Sequence, residues 1–238
     1  MDYKFTIIVP IFNEAANLIR VETELSAYLN TLALASKVLL VNDGSTDDSQ
    51  RHIEAICKRN ENFNYLLLSK NNGLSAALKA GIENVDPSLT GYIDADLQTS
   101  PNDFDLLLEH AETYDFVTGV RLHRKDTLIK KIISKVSNGI RRVFTQDGMT
   151  DTGCPLKILK TENAQQIPMF KGFHRFLPAM ILLQGGTIKQ VPIAHYPRLY
   201  GISKFGLKNR FLSPLLFCFV YLWMKQKTIN YSIKKKSI

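Results

Sequence analysis

The chain has 238 residues, 45% of them hydrophobic and 22% charged, with a formal net charge of +8. That size and composition allow a full core and exclude a disordered or fibrous protein. The positive balance points to an anionic partner, while three scattered cysteines, Cys57, Cys154 and Cys218, exclude a disulfide framework and offer no zinc spacing.

In chain order, "KFTIIVP" predicts a first strand, and its flanks lack the cleavage site of a secretory signal. Leu18, Val21, Leu25, Tyr28, Leu29 and Leu32 then recur at helical spacing. "KVLLVND" is a second strand, and "GSTDDS" after it suits a helix start. "FNYLLLS" predicts a third strand, followed by a helix through "LSAALKAGIENV". "GYIDAD" is a fourth strand, with a helix from Pro101 to about Glu112, and "YDFVTGVR" is a fifth. Residues 127–143 read as a basic helix containing Lys130, Lys131, Lys135, Arg141 and Arg142. "HRFLPAMILLQGG" reads as a helix stopped by glycine, "TIKQVPIAHYPR" as a strand and "YGISKFGLKNR" as a basic loop.

The stretch "FLSPLLFCFVYLWM" (211–224) is shorter than the roughly 20 residues of a spanning helix, and lysines and arginines bracket it. It reads as a helix lying on an anionic lipid surface, with Tyr221 and Trp223 at headgroup level; the alternative is a helix that closes the core. Residues 1–210 are therefore expected to form one domain, and 211–238 an interfacial helix with a basic tail.

Continuous apolar strands alternating with helices predict a mostly parallel α/β sheet covered on both faces. Ligands of such sheets bind beyond the carboxyl ends of the strands. The polar clusters fall at those ends: "FNE" (12–14), "NDGSTDDS" (42–49), "DADLQ" (94–98) and "VRLHRKD" (120–126). Asp94, Asp96 and Gln98 offer the oxygen ligands that Mg2+ or Mn2+ uses to bind a nucleotide diphosphate, and Ala95 is small enough for close approach. The competing reading of the carboxylate pair is a polar turn before the next helix. Glu14 and Asp43 likewise have a cap or turn reading, which carries most of the weight for Asp47.

Taken together, "IVPIFNE", "VNDGSTDDS", "NNGLSAALKAG", "DADLQ", "GVR" and "RLYGISK" resemble family 2 glycosyltransferases of GT-A (Rossmann-like) fold. The resemblance is strongest to the dolichyl- and polyprenyl-phosphate sugar synthases and spans roughly residues 4 to 210. It implies that Pro10, Phe12 and Glu14 line a nucleoside pocket, although the family more often has tyrosine at position 12. Val41 and Asp43 would contact base or ribose, and Asp94 and Ala95 would sit by the nucleotide. Asp96 and Gln98, beside Asp94, would hold Mg2+ or Mn2+. Arg121 would meet phosphate, Lys130 would meet the acceptor phosphate, and Arg198 and Lys204 would close over donor and acceptor phosphates. The implied catalytic set is Asp96, Arg121, Arg198 and Lys204.

The activity implied is inverting transfer from a UDP- or GDP-linked sugar to a polyprenyl phosphate, undecaprenyl phosphate in a bacterium. The setting would be the cytoplasmic face of the cell membrane, with peripheral attachment. The QxxRW pattern of processive synthases is absent. The alternative is a family member that extends a glycan through an acceptor hydroxyl, with Asp151 as base. No RNA or DNA motif appears, so a nucleic acid partner is not expected. Assembly as a homo-oligomer is left open.

Overall fold

The computed structural model describes residues 3–86, 88–122, 139, 141–199 and 208–229, the stretch 208–216 as helix path only. The strands are β1 (Phe5–Ile11), β2 (Ser36–Asn42), β3 (Phe63–Leu67), β4 (Leu89–Tyr92), β5 (Phe116–Arg121), β6 (Lys157–Lys160) and β7 (Ile188–Ile193). The helices are α1 (Leu18–Thr31), α2 (Ser49–Arg59), α3 (Leu74–Glu83), α4 (Phe104–Ala111), α5 (Thr161–Gln165), α6 (Leu177–Leu183) and α7 (Lys208–Lys227). Among the described residues the strands form one sheet in the order β3-β2-β1-β4-β6-β5-β7. All its pairings are parallel except the two made by β6.

The unbroken apolar runs of β1 and β2 follow from burial on both faces. Phe5, Ile7, Val9 and Ile11 enter one core with Val38 and Leu40, packed under α1, α2 and α4. The alternate residues Ile8, Leu39 and Val41 enter a second core with residues of α3, α6 and α7. A period of two thus divides each strand between two apolar layers. The α3 helix lies so close to β1 that a Cβ at Gly81 would sit 2.8 Å from Ile8 side-chain atoms.

Chain order runs β1 to β2 to β3 in one direction and then returns to place β4 on the other side of β1. This reversal opens a crevice at the carboxyl ends of β1 and β4. The loops "FNE" and "DADLQ" leave the sheet there. The mostly parallel, helix-flanked sheet matches the expected GT-A architecture, and a C-terminal helix is present.

Three details depart from the sequence expectation. The antiparallel strand β6, wedged between β4 and β5, was not anticipated. The fourth strand ends at Tyr92, so Asp94 lies beyond the ladder. In the C-terminal helix, Cys218 and Tyr221 are buried and Phe217 packs edge-on against Phe173 and Phe176. Tyr221 therefore faces the core and not a headgroup layer, whereas Phe219, Val220 and Trp223 on the opposite face are exposed. Among the described residues no helix is long and apolar enough to cross a membrane. Most of the basic helix expected over 127–143 lies outside the described residues.

Candidate active site

The loops at the carboxyl ends of β1 and β2 are joined by side chains that bond to backbone. Asn13 takes a left-handed backbone (φ 50°), which asparagine tolerates, and its Oδ1 accepts from the Thr46 N–H at 2.7 Å. The N–H groups of Asn13 and Glu14 donate to Ser45 Oγ and Ser49 Oγ. Asp47 accepts from the backbone of Ser49 and Ala15, the turn-and-cap role its position favours. Gly44 passes so close to the chain after β3 that a Cβ would lie 2.4 Å from the Lys70 carbonyl carbon, and its φ is +63°. Asp43 accepts from Asn72 N–H at 2.8 Å and Gly73 N–H at 2.7 Å, tying β2 to the start of α3. Val41 is fully buried in the second core. Pro10, Phe12 and Glu14 are each partly exposed at the same rim.

Asp94, Asp96 and Gln98 turn over the end of β4. The phenol of Tyr92 donates to Asp94 at 2.6 Å. Asp96 is 6% exposed; its Oδ1 accepts from Gln98 N–H at 3.2 Å and its Oδ2 from Arg198 at 2.5 Å. Between them Leu97, buried, has φ +46°. The guanidinium of Arg20, on α1, donates to the carbonyls of Asp96 and Leu97 at 3.3 and 3.2 Å. Gln98 and Tyr196 exchange two bonds: Tyr196 N–H to the Gln98 carbonyl at 2.8 Å, and the Gln98 amide to the Tyr196 carbonyl at 3.3 Å. Glu14 does not cap the helix after it. Its carboxylate instead accepts from Asn17 at 2.6 Å and lies 3.8 Å from Arg198.

This is a largely buried site rich in negative charge. Burial and the neighbouring Asp96 push the Asp94 carboxyl up to about 6. Burial also raises Asp96, opposed by Arg198. A hard divalent cation fits such oxygen donors. Among the described residues no three His, Cys, Asp or Glu side chains gather as a complete cage. That suits a cation held by one or two carboxylates and completed by substrate phosphates, the usual pattern for Mg2+. Since the Gln98 amide nitrogen is committed to Tyr196, Gln98 would contribute Oε1.

Arg121 is placed differently from a solitary phosphate ligand. Its guanidinium forms a fork on Asp151 at 2.8 and 2.9 Å, and both side chains are largely buried. Beside them Lys157, on β6, is 3% exposed, donates to the Cys154 carbonyl and lies 5.2 Å from the centre of the Tyr92 ring. Burial lowers the Lys157 pKa, and Asp94 and Asp151 are among the charges that oppose this. Sequence reasoning missed Arg20 and Lys157. Their available signals were an arginine one turn into the first helix and a lysine interrupting "PLKILK". Lys130 and Lys204 lie outside the described residues. A separate cleft of about 750 Å3, lined by Lys4, Ser88, Glu112 and Lys160 among others, opens at the amino-terminal edge of the strands, away from this chemistry.

Residues 6–166 match the family model described as glycosyl transferase family 2. The chain belongs to that family. Two relatives refine the comparison. The dodecaprenyl-phosphate galacturonate synthase of Rhizobium johnstonii is 29% identical over 235 residues, covering 94% of this chain and 68% of that protein. The undecaprenyl-phosphate 4-deoxy-4-formamido-L-arabinose transferase of Klebsiella pneumoniae is 30% identical over 205 residues, covering 85% and 63%. The chain thus spans about two thirds of the length of these relatives. Among solved structures, glucosyl-3-phosphoglycerate synthase of Mycobacterium tuberculosis, crystallised with Mn2+, UDP-glucose and phosphoglyceric acid, superposes with a TM-score of 0.72. That match is 15% identical and covers 91% of this chain and 79% of that one, and it supports the shared fold. In this family-2 glycosyltransferase the carboxylate turn after β4, the Glu14 loop and Arg198 meet at the crevice where the sheet reverses.

Proposed function

We propose that this glycosyltransferase moves a sugar, with inversion, from a nucleotide diphosphate sugar to a polyprenyl phosphate, with UDP- and GDP-linked donors both compatible. The observation that carries the reading is the convergence of Asp94, Asp96, Gln98, Glu14 and Arg198 at one rim, in a chain whose relatives are named for polyprenyl-phosphate sugar transfer.

Asp94 and Asp96, with Gln98, would hold Mg2+ or Mn2+. When bound, such a cation neutralises charge on a leaving diphosphate. The anchored Asp43 and the Pro10–Glu14 loop would form the nucleoside side, with Val41 behind them and Ala95 beside the carboxylates. A phosphate acceptor is already anionic near neutral pH, so attack needs cations to bring two negative groups together more than it needs a base. Arg198, together with Lys204 and Lys130, would serve that purpose. Arg121 would act as a fixed positive field behind Asp94. The fork of Arg121 on Asp151 also argues against the hydroxyl-acceptor reading, because a carboxylate committed to a buried guanidinium is a weak base.

The exposed face of α7, with Phe219, Val220 and Trp223, is flanked by Lys225 and Lys227, and residues 208–238 contain no Asp or Glu. This supports peripheral attachment to an anionic membrane, on its cytoplasmic side, with 211–238 as the contacting segment. The deciding assay gives the purified protein UDP- and GDP-sugars with either undecaprenyl phosphate or glycan acceptors. Metal-dependent product on the lipid phosphate is expected; product on the glycan alone refutes the reading.

A further inference from the structure

The position that a divalent cation would need at Asp96 already has an occupant. Asp96 is 6% exposed, and a carboxylate so buried is costly without a counter-charge. Its Oδ1 is engaged by Gln98 N–H, and its Oδ2 is held by Arg198 at 2.5 Å. The same guanidinium lies 3.8 Å from Glu14, so one cation serves two of the acidic groups at the rim. The pairing is supported from behind. Two residues before Arg198, Tyr196 is bonded in both directions to Gln98, which ties the backbone at Tyr196 to the carboxylate turn. Arg198 itself keeps 25% of its side chain exposed, so the buried oxygen is paired with a side chain that still touches solvent.

We propose that Arg198 is the resident counter-cation of the metal-free site and is exchanged for the divalent ion. This deepens the reading above and rests on it. A guanidinium and a metal ion cannot share the same lone pairs of Oδ2. A cation arriving alone at Oδ2 must therefore displace Arg198 from Asp96 and leave it only the longer 3.8 Å contact with Glu14. A cation arriving with a diphosphate brings a new anion, to which the released guanidinium can turn within the same crevice. Metal and nucleotide are thereby coupled through one side chain: the bare ion binds weakly and the ion with nucleotide binds tightly. Because coupling between two ligands is reciprocal, the nucleotide gains from the metal by the same factor. The arrangement also gives Asp96 and Glu14 a positive partner between turnovers.

The test is direct Mn2+ binding, read from the electron paramagnetic resonance of the free ion, with and without UDP or GDP. Charge-assisted hydrogen bonds of this kind predict that Arg198→Met binds Mn2+ alone about tenfold more tightly than wild type. The tightening of Mn2+ by nucleotide should shrink by about the same factor. Arg198→Gln, which keeps a donor without the charge, carries the same expectation should the methionine variant fold poorly, and thermal melts establish that each is native. Equal or weaker Mn2+ binding by the folded variants overturns the exchange while leaving the glycosyltransferase reading intact. Absence of Mn2+ binding in wild type even with either nucleotide overturns the metal reading and the exchange with it.

Discussion

Leu97 sits in a left-handed backbone that costs an L-residue about 1–2 kcal/mol, yet it lies between Asp96 and Gln98. Two features offset that cost: the Leu97 side chain is buried in the first core, and Arg20 donates to the carbonyls of Asp96 and Leu97. Arg20 is thus a positioning residue, which never needs to touch substrate. Arg20→Met keeps the stem and removes the donors; kcat/KM should fall about ten- to a hundredfold with only a small drop in melting temperature. Steady-state kinetics alongside thermal melts check this. The Arg121–Asp151 fork behaves differently, since removing one partner leaves a charge buried. Asp151→Asn should destabilise the fold by about 3–5 kcal/mol, and the double variant Asp151→Leu/Arg121→Met should recover much of the loss in urea denaturation.

At the scale of elements, the segment 170–176 connects the start of α3 to α7. Ser75, in the first turn of α3, accepts from the N–H groups of Gly172 and His174 and lies 2.9 Å from His174 Nδ1. Next along the chain, Phe173 stacks on Phe176 and meets Phe217 of α7 edge-on. Burial, reinforced by the Arg175 charge, lowers the His174 pKa to about 3. The unfolded chain therefore takes up a proton near pH 6.5 that the native state refuses, and stability falls as the pH drops below that value. The slope from this group should approach about 1.4 kcal/mol per pH unit between pH 6 and 5, and His174→Asn should remove it. Denaturation curves of the two proteins across that range give the difference, in which the opposite contribution of Asp94 cancels. The two faces of α7 make a second contrast. Trp223→Ser should weaken binding to vesicles containing anionic lipid about tenfold while leaving the melting temperature unchanged. Tyr221→Ser should instead lower the melting temperature, because Tyr221 is part of the core.

For the molecule as a whole, the half that was legible in sequence is the half governed by simple periodicity. β1, β2 and β5 announce themselves as apolar runs, and the polar residues that follow β1, β2 and β4 converge because parallel strands bring their carboxyl ends to one edge. β6 is four residues with a lysine at each end, too short and too charged to read as a strand. Lys157 is tolerated inside because the Cys154 carbonyl, the Tyr92 ring and nearby carboxylates surround its ammonium, none of which spacing reveals. Arg20 was hidden for a related reason, since its partners are backbone carbonyls some 76 residues away. The ends of the C-terminal helix were close, but which aromatic faces inward depends on Phe173 and Phe176, distant in sequence.

The antiparallel insertion of β6 has a consequence for biogenesis. On a ribosome, β5 emerges before either of its ladder neighbours, since β6 and β7 both lie downstream. The β3-β2-β1-β4 half can assemble from contacts already made, whereas β5 must wait some forty residues for its first partner. During that interval both edges of the strand lack ladder partners, although α4 can already cover one face, and chaperone capture or premature association competes with completion of the sheet.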